Sequence, residues 1–146
     1  MSKQNIEKVI NSYLGTTFKH QGRVKKNAQN NGGVDCLGLI VLVLQELEIK
    51  IEDYKNYSTF PDGLLLKAEL DKLLIKTPVE ELMVGDILLF RIKNNPQHLA
   101  IVSKIDGGKI FFAHAYQPEK KVVENSLDAV WRNRLVGAYK TLKTFA

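Results

Sequence analysis

Cysteine is nearly absent: the 146-residue chain has one, Cys36. A lone thiol cannot close an internal disulfide, so the fold does not rest on oxidation. Repeats and low-complexity linkers are missing too, and the length suits one domain over 1–146 with a core of its own. No long hydrophobic run exists. The longest, Leu37 to Leu44, is too short to cross a bilayer, which excludes membrane insertion by that segment. The opening "MSKQNIEKVINSYLG" lacks the apolar core of a secretory leader. Synthesis in the cytoplasm is therefore expected, with any later export left to another carrier.

A strong excess of one charge is also lacking. Lys plus Arg number 21 against 16 Asp plus Glu, a net of +5. That balance favours acidic partners, whether nucleic acid, anionic lipid or an anionic wall polymer, without choosing among them. The basic residues are scattered except for Lys19, Arg23, Lys25 and Lys26 in one early loop. No aromatic residues interleave them for base stacking, so a nucleic-acid partner is not expected.

Ile6, Val9, Ile10, Tyr13 and Leu14 recur at helical spacing behind Ser2, a candidate N-cap, and predict a first helix ending near Gly15. A polar loop runs from Lys19 to Gly33. From Cys36 to about Leu47 the chain is apolar on nearly every side, which predicts a helix enclosed by protein. Residues 51 to 61 read as a loop carrying Tyr54, Tyr57 and Phe60, and Asp62 as the cap of a third helix reaching about Lys76. Beyond Pro78 the period changes. "DILLFRI", "HLAIVSKI", "KIFFAHAY", "KVVENS" and "RLVGAYKTL" are β-prone, with turns at Lys93 to Gln97, at Asp106-Gly107-Gly108 and at Gln117-Pro118. Helices followed by a meander of about five strands predict an α+β domain with an antiparallel sheet.

Cys36 stands where a glycine-bearing loop enters the apolar helix. It reads either as a small buried hydrophobe or as a nucleophile at a helix N-terminus, where partial positive charge favours the thiolate. Asp35 can cap that helix. Only three histidines exist: His20, His98 and His114. His98 opens a strand; His114 ends another, on the face of Ile110 and Phe112. If the Cys36 helix packs on that face, His98 can take the thiol proton and His114 can orient His98. Two satisfied core histidines are the plain alternative. Zinc is a weaker one, because no close CxxC or HxxxH pair is present. No metal or other cofactor is expected. Trp131 reads as closing the core, Arg132 and Arg134 as facing solvent or the sheet ends, and Asp86 as holding a turn.

The ordered set "VDCLGLI", "VGDILLF", "HLAIV" and "FFAHA" resembles the NlpC-type cell-wall cysteine peptidases of the papain-like superfamily. "YLGTTFKHQGR" and "VVENSLDAVWRNRLVGAYK" are similar to the branch encoded in phage tail clusters and gene-transfer agents. The resemblance implies a papain-like fold and three catalytic residues, Cys36, His98 and His114. It implies hydrolysis of an amide in the peptidoglycan stem peptide, usually between D-glutamate and a diamino acid. It also implies phage-like tail proteins as partners, and carriage in a particle to the wall. The expected resting state is a Cys36 thiolate beside a His98 imidazolium, with the oxyanion on the Cys36 N–H and the His20 side chain. Tyr54, Tyr57 and the loop around Lys25 and Lys26 are substrate-binding candidates. Two departures stand out. Leu37 lies where the family has Ser or Ala, and Phe18 where many relatives have a tyrosine hydroxyl. They leave open a structural tail component without useful activity. The Cys-His layout also leaves open a thiol acyltransferase.

Overall fold

The computed structural model describes residues 2–49, 70–72, 74–92 and 95–141. Helix α1 (Lys3–Asn11) begins where Ser2 Oγ accepts the Asn5 N–H at 3.2 Å. It stops at Ser12, and Gly15, with a φ of 91°, turns the chain away. The polar stretch expected as a loop contains a small hairpin, β1 (Arg23–Val24) against β2 (Gly33–Val34). Strands of two residues carry no readable alternation. Helix α2 (Cys36–Glu46) is capped by Asp35, whose Oδ1 accepts the Gly38 N–H at 2.8 Å. Leu39, Ile40, Val41, Val43 and Leu44 are all buried, as an all-round apolar helix requires.

The aromatic loop with Tyr54, Tyr57 and Phe60 lies outside the described residues, as does the helix start at Asp62. Residues 70–72 are helical, but the helix does not reach Lys76. Leu74 is a bend, and β3 (Ile75–Lys76) pairs instead with a later strand.

The sheet comprises β3, β4 (Ile87–Ile92), β5 (Asn95–Asp106), β6 (Lys109–Tyr116), β7 (Lys121–Ser126) and β8 (Leu135–Lys140). Its order is β3-β8-β4-β5-β6-β7, with every neighbouring pair antiparallel. The five β-prone runs are all strands, and β3 adds a sixth at one edge. The expected turn after Lys93 is shorter than its sequence suggests, since Asn95 and Pro96 already pair with Ile92 and Arg91. A short helix, α3 (Ala129–Arg134), precedes β8 and is capped by Asp128, which accepts the Trp131 N–H at 3.0 Å. Among the described residues no helix is long and apolar enough to cross a membrane.

Alternation along the strands builds two cores. Ile87, Leu89, Leu99, Ile101, Ala113 and Ala115 pack under α1 and α2. Leu88, Phe90, Ala100, Val102 and Phe112 pack on the other face with Trp131. Helix α2 therefore covers the face of Ala113 and Ala115. The expectation that it would pack on the face of Phe112 and His114 is not met. Alternation shows which residues share a face, but both faces here are apolar and either could have received the helix.

At the start of β4 the fold buries an ion pair. Asp86 is fully buried and Lys140 nearly so. Their side chains meet at 2.8 Å, and Lys140 Nζ also donates to the Glu81 carbonyl. Asp86 Oδ2 accepts the Met83 N–H at 2.8 Å, and Thr141 Oγ1 donates to the Gly85 carbonyl at 2.6 Å. Asp86 thus has the structural role its sequence position suggested, with Lys140 as a partner that lay 54 residues away.

Candidate active site

Two strands part at the site. Val102 gives its backbone N–H and C=O to Asp86 and Gly85 on the β4 side, both at 2.8 Å. Alternate residues of β5, Ile101, Leu99 and Gln97, therefore turn their backbone groups toward β6. The β5–β6 pairing nevertheless starts only at Ile101↔Ala113. Into this opening comes the tip of α2. Cys36 Sγ donates to the Gln97 carbonyl at 3.9 Å, and the Leu99 N–H is directed at the sulfur. The thiol takes the place of a ladder partner on the segment that carries His98.

Close contact seats the helix there. A Cβ built on Gly38 would lie 2.2 Å from the Gly22 carbonyl oxygen, so glycine lets the first turn of α2 rest on the 19–22 turn. Asp35 completes the seat. Its Oδ2 accepts the Gln21 N–H at 2.7 Å, and Arg23 Nη1 lies 3.3 Å from its Oδ1. Asp35 is therefore a cap and anchor for the helix that carries Cys36. Leu37 packs against the helix-side core, as does Phe18. His20 is half-buried on the turn that touches α2.

The two histidines meet. His98 Nε2 and His114 Nδ1 are 2.8 Å apart, and His114 Nε2 is 2.7 Å from Asn125 Oδ1. Their rings lie on the aromatic side of the sheet. Tyr116 stacks on His114 at 4.9 Å, while Trp131 stands edge-on to it at 5.1 Å. Arg134 lies over the Trp131 ring at 5.0 Å, so it does not simply face solvent. Among the described residues, the hydrogen-bond partner of the His98 ring is His114, and the thiol donates to the Gln97 carbonyl.

Charge is disfavoured throughout. Burial pushes the Cys36 thiol up to about 11. The Leu99, Leu37 and Cys36 N–H groups oppose that rise, and the Asp35 carboxylate adds to it. Burial lowers His98 to about 3, helped by His114 and Arg134, and lowers His114 to about 4 against the pull of Asn125. For both groups burial favours the neutral form. Burial therefore opposes the expected thiolate–imidazolium pair, while the helix N-terminus and the Leu99 N–H favour the thiolate.

Sequence reasoning missed Asn125 and the nearness of Trp131 and Arg134 to the histidines. "KVVENS" offers no local sign that its asparagine reaches another strand's histidine. Of the proposed binding groups, Tyr54 and Tyr57 lie outside the described residues. Lys25 is engaged within the fold, 2.9 Å from Glu46 and over the Tyr13 ring. Among the described residues no group of three or more His, Cys, Asp and Glu is gathered to hold a metal ion.

Several solved structures share this architecture. The NlpC/p60 domain of the peptidoglycan hydrolase SagA matches with a TM-score of 0.61 and 21% identity, over 96% of this chain and 99% of that one. Ly7917 matches with a TM-score of 0.59 and 14% identity, over 97% of this chain and 63% of its own. An N-acetylmuramoyl-L-alanine amidase from Bacteroides uniformis matches with a TM-score of 0.55 and 14% identity, over 92% and 96%. No curated protein matches the chain. The model of the NlpC/P60 family matches residues 15–140, which contain the α2 tip, both relay histidines and the whole sheet; the chain belongs to the NlpC/P60 family.

Proposed function

We propose that this protein is a cysteine peptidase that hydrolyses an amide in the peptidoglycan stem peptide, with Cys36 as nucleophile and His98 as base. The observation that carries this reading is a thiol at a helix tip, held against the backbone on both sides of a histidine that is itself bonded to a second histidine. Family membership and the peptidoglycan hydrolases among its structural neighbours support the substrate class.

Because burial opposes charge on both groups, activation accompanies attack. Cys36 Sγ leaves the Gln97 carbonyl and bonds to the substrate carbonyl carbon while its proton passes to His98. The Cys36 N–H, with help from the His20 side chain, takes the negative oxygen. Collapse breaks the C–N bond, and His98 returns its proton to the departing amine. Water, deprotonated by His98, then opens the thioester and restores the thiol. Phe18 is packed in the core and supplies no hydroxyl, so oxyanion stabilisation rests on fewer donors, each worth about 10²–10³ in rate.

The finer reading places the scissile bond between D-glutamate and a diamino acid, and places the enzyme in a phage-like tail particle. Its support is the resemblance of the two end segments to that branch. Detection of the chain in purified particles tests the location. One feature favours a structural tail component instead: the Cys36 sulfur is engaged by the Gln97 carbonyl, and burial opposes loss of its proton. Incubating wild type and Cys36→Ala with purified muropeptides separates the readings. New amines from wild type alone, seen by mass spectrometry, support the peptidase. Equal release from both removes Cys36 from the mechanism, and no release from either favours the structural role.

A further inference from the structure

We propose that Asn125 is a positioning residue that fixes the tautomers of both histidines, so that the basic nitrogen of the pair is Nδ1 of His98. The proposal rests on the reading of His98 as the base and adds a residue that the sequence did not offer.

An amide oxygen only accepts. Asn125 Oδ1, 2.7 Å from His114 Nε2, therefore requires the proton of His114 to sit on Nε2. A neutral imidazole has one N–H, so His114 Nδ1 is left with a lone pair. That lone pair is 2.8 Å from His98 Nε2, which must then carry the N–H. Nδ1 of His98 remains unprotonated, and under the reading of His98 as base it is the nitrogen that receives the thiol proton. Reversing the chain, with the Asn125 amide nitrogen donating, would put protons on both Nδ1 atoms and leave the basic nitrogen of His98 at Nε2, already occupied by His114.

The sheet enforces this. Asn125 stands opposite Phe112 and His114 opposite Val123, so Asn125 shares the face of the two rings. The 3₁₀ turn Gln117–Glu119, ended by Lys120 at a φ of 63°, pins the β6–β7 register. A slip of one residue would turn Asn125 to the other face. Burial does the rest. His114 is fully buried, so solvent cannot replace a missing partner at its ring. An amide also orients without adding charge, which a carboxylate would not.

Other groups near the pair are Arg134 from α3, whose charge opposes protonation of His98, Tyr116 stacked on His114, and Cys36 at the head of α2. None of them accepts from His114 Nε2 among the described residues.

Long-range ¹H–¹⁵N spectra of the full ¹⁵N-labelled chain at pH 7 read the tautomers directly. Protonated Nε2 and bare Nδ1 at both His98 and His114 are expected; a proton on Nδ1 of His98 overturns the proposal. This readout stands whether or not peptidoglycan is cleaved, so it separates failure of the tautomer from failure of the function. Two variants extend the test. Asn125→Asp keeps an acceptor and adds charge, so it keeps the Nε2–H tautomers and moves the acidic limb of kcat/KM up by about one pH unit or more. Asn125→Leu loses the acceptor, mixes the His114 tautomers and lowers kcat by about 10-fold or more with KM unchanged. A wild-type kcat in Asn125→Leu, or the same mixed tautomers in both variants, refutes it. Should Asn125→Leu not fold, the wild-type and Asn125→Asp spectra decide.

Discussion

The sheet carries two buried polar centres that solve one problem in opposite ways. At one, Asp86 and Lys140 form an ion pair completed by three backbone groups. At the other, His98, His114 and Asn125 form a chain of neutral groups. The ion pair ties the end of β8 to the turn before β4. A neutral relay costs less to bury and leaves a proton able to move. The first ties the fold together; the second is the arrangement that the proposed chemistry needs.

The sharpest way to break this contrast is His98→Gln, which keeps a neutral polar side chain. Cleavage should fall by about 10²–10⁴-fold, while the urea midpoint moves less than for a break in the ion pair. Lys140→Met should do the reverse. It strands a buried carboxylate and should cost about 3–5 kcal/mol by urea unfolding, with kcat per folded molecule unchanged. The double variant Asp86→Asn, Lys140→Met should recover part of that loss.

Acid distinguishes the centres next. Both relay histidines have folded pKa values below the ordinary 6.5, at about 3 and about 4. Between those values and 6.5 the unfolded chain binds more protons, so stability is complete above about pH 6.5 and drains away as pH falls. Unfolding at pH 7 and pH 5 should differ by about 2–4 kcal/mol, and replacing both histidines with glutamine should flatten the dependence. The smallest effect falls at the nucleophile's seat. Asp35→Ala should cost about 1–2 kcal/mol as a lost cap. It should also speed alkylation of Cys36 at pH 8, because the carboxylate raises the thiol pKa.

The strands were legible because alternation is strong after Pro78. The sequence bounds for β6 and β7 coincide with the structure, and α2 was visible through its apolar run and Asp35 cap. What could not be read depended on distance or on brevity. β1, β2 and β3 have two residues each, too few for a period, and α3 has only six. Which face α2 would cover is a choice between two apolar surfaces that alternation leaves equal. Asn125 and Lys140 acquire their roles from registers across the sheet, which no window of sequence contains. The burial that raises the Cys36 pKa was hidden for a related reason. A helix start is visible locally, whereas the depth at which it is buried is not.

The gap between β5 and β6 sets a size limit at position 36. Sulfur fits between the Gln97 carbonyl and the Leu99 amide as though it were the next rung of a ladder. A bulkier side chain would act as a crowbar on the sheet. Smallness and softness at that spot are thus demanded by architecture before any bond is broken.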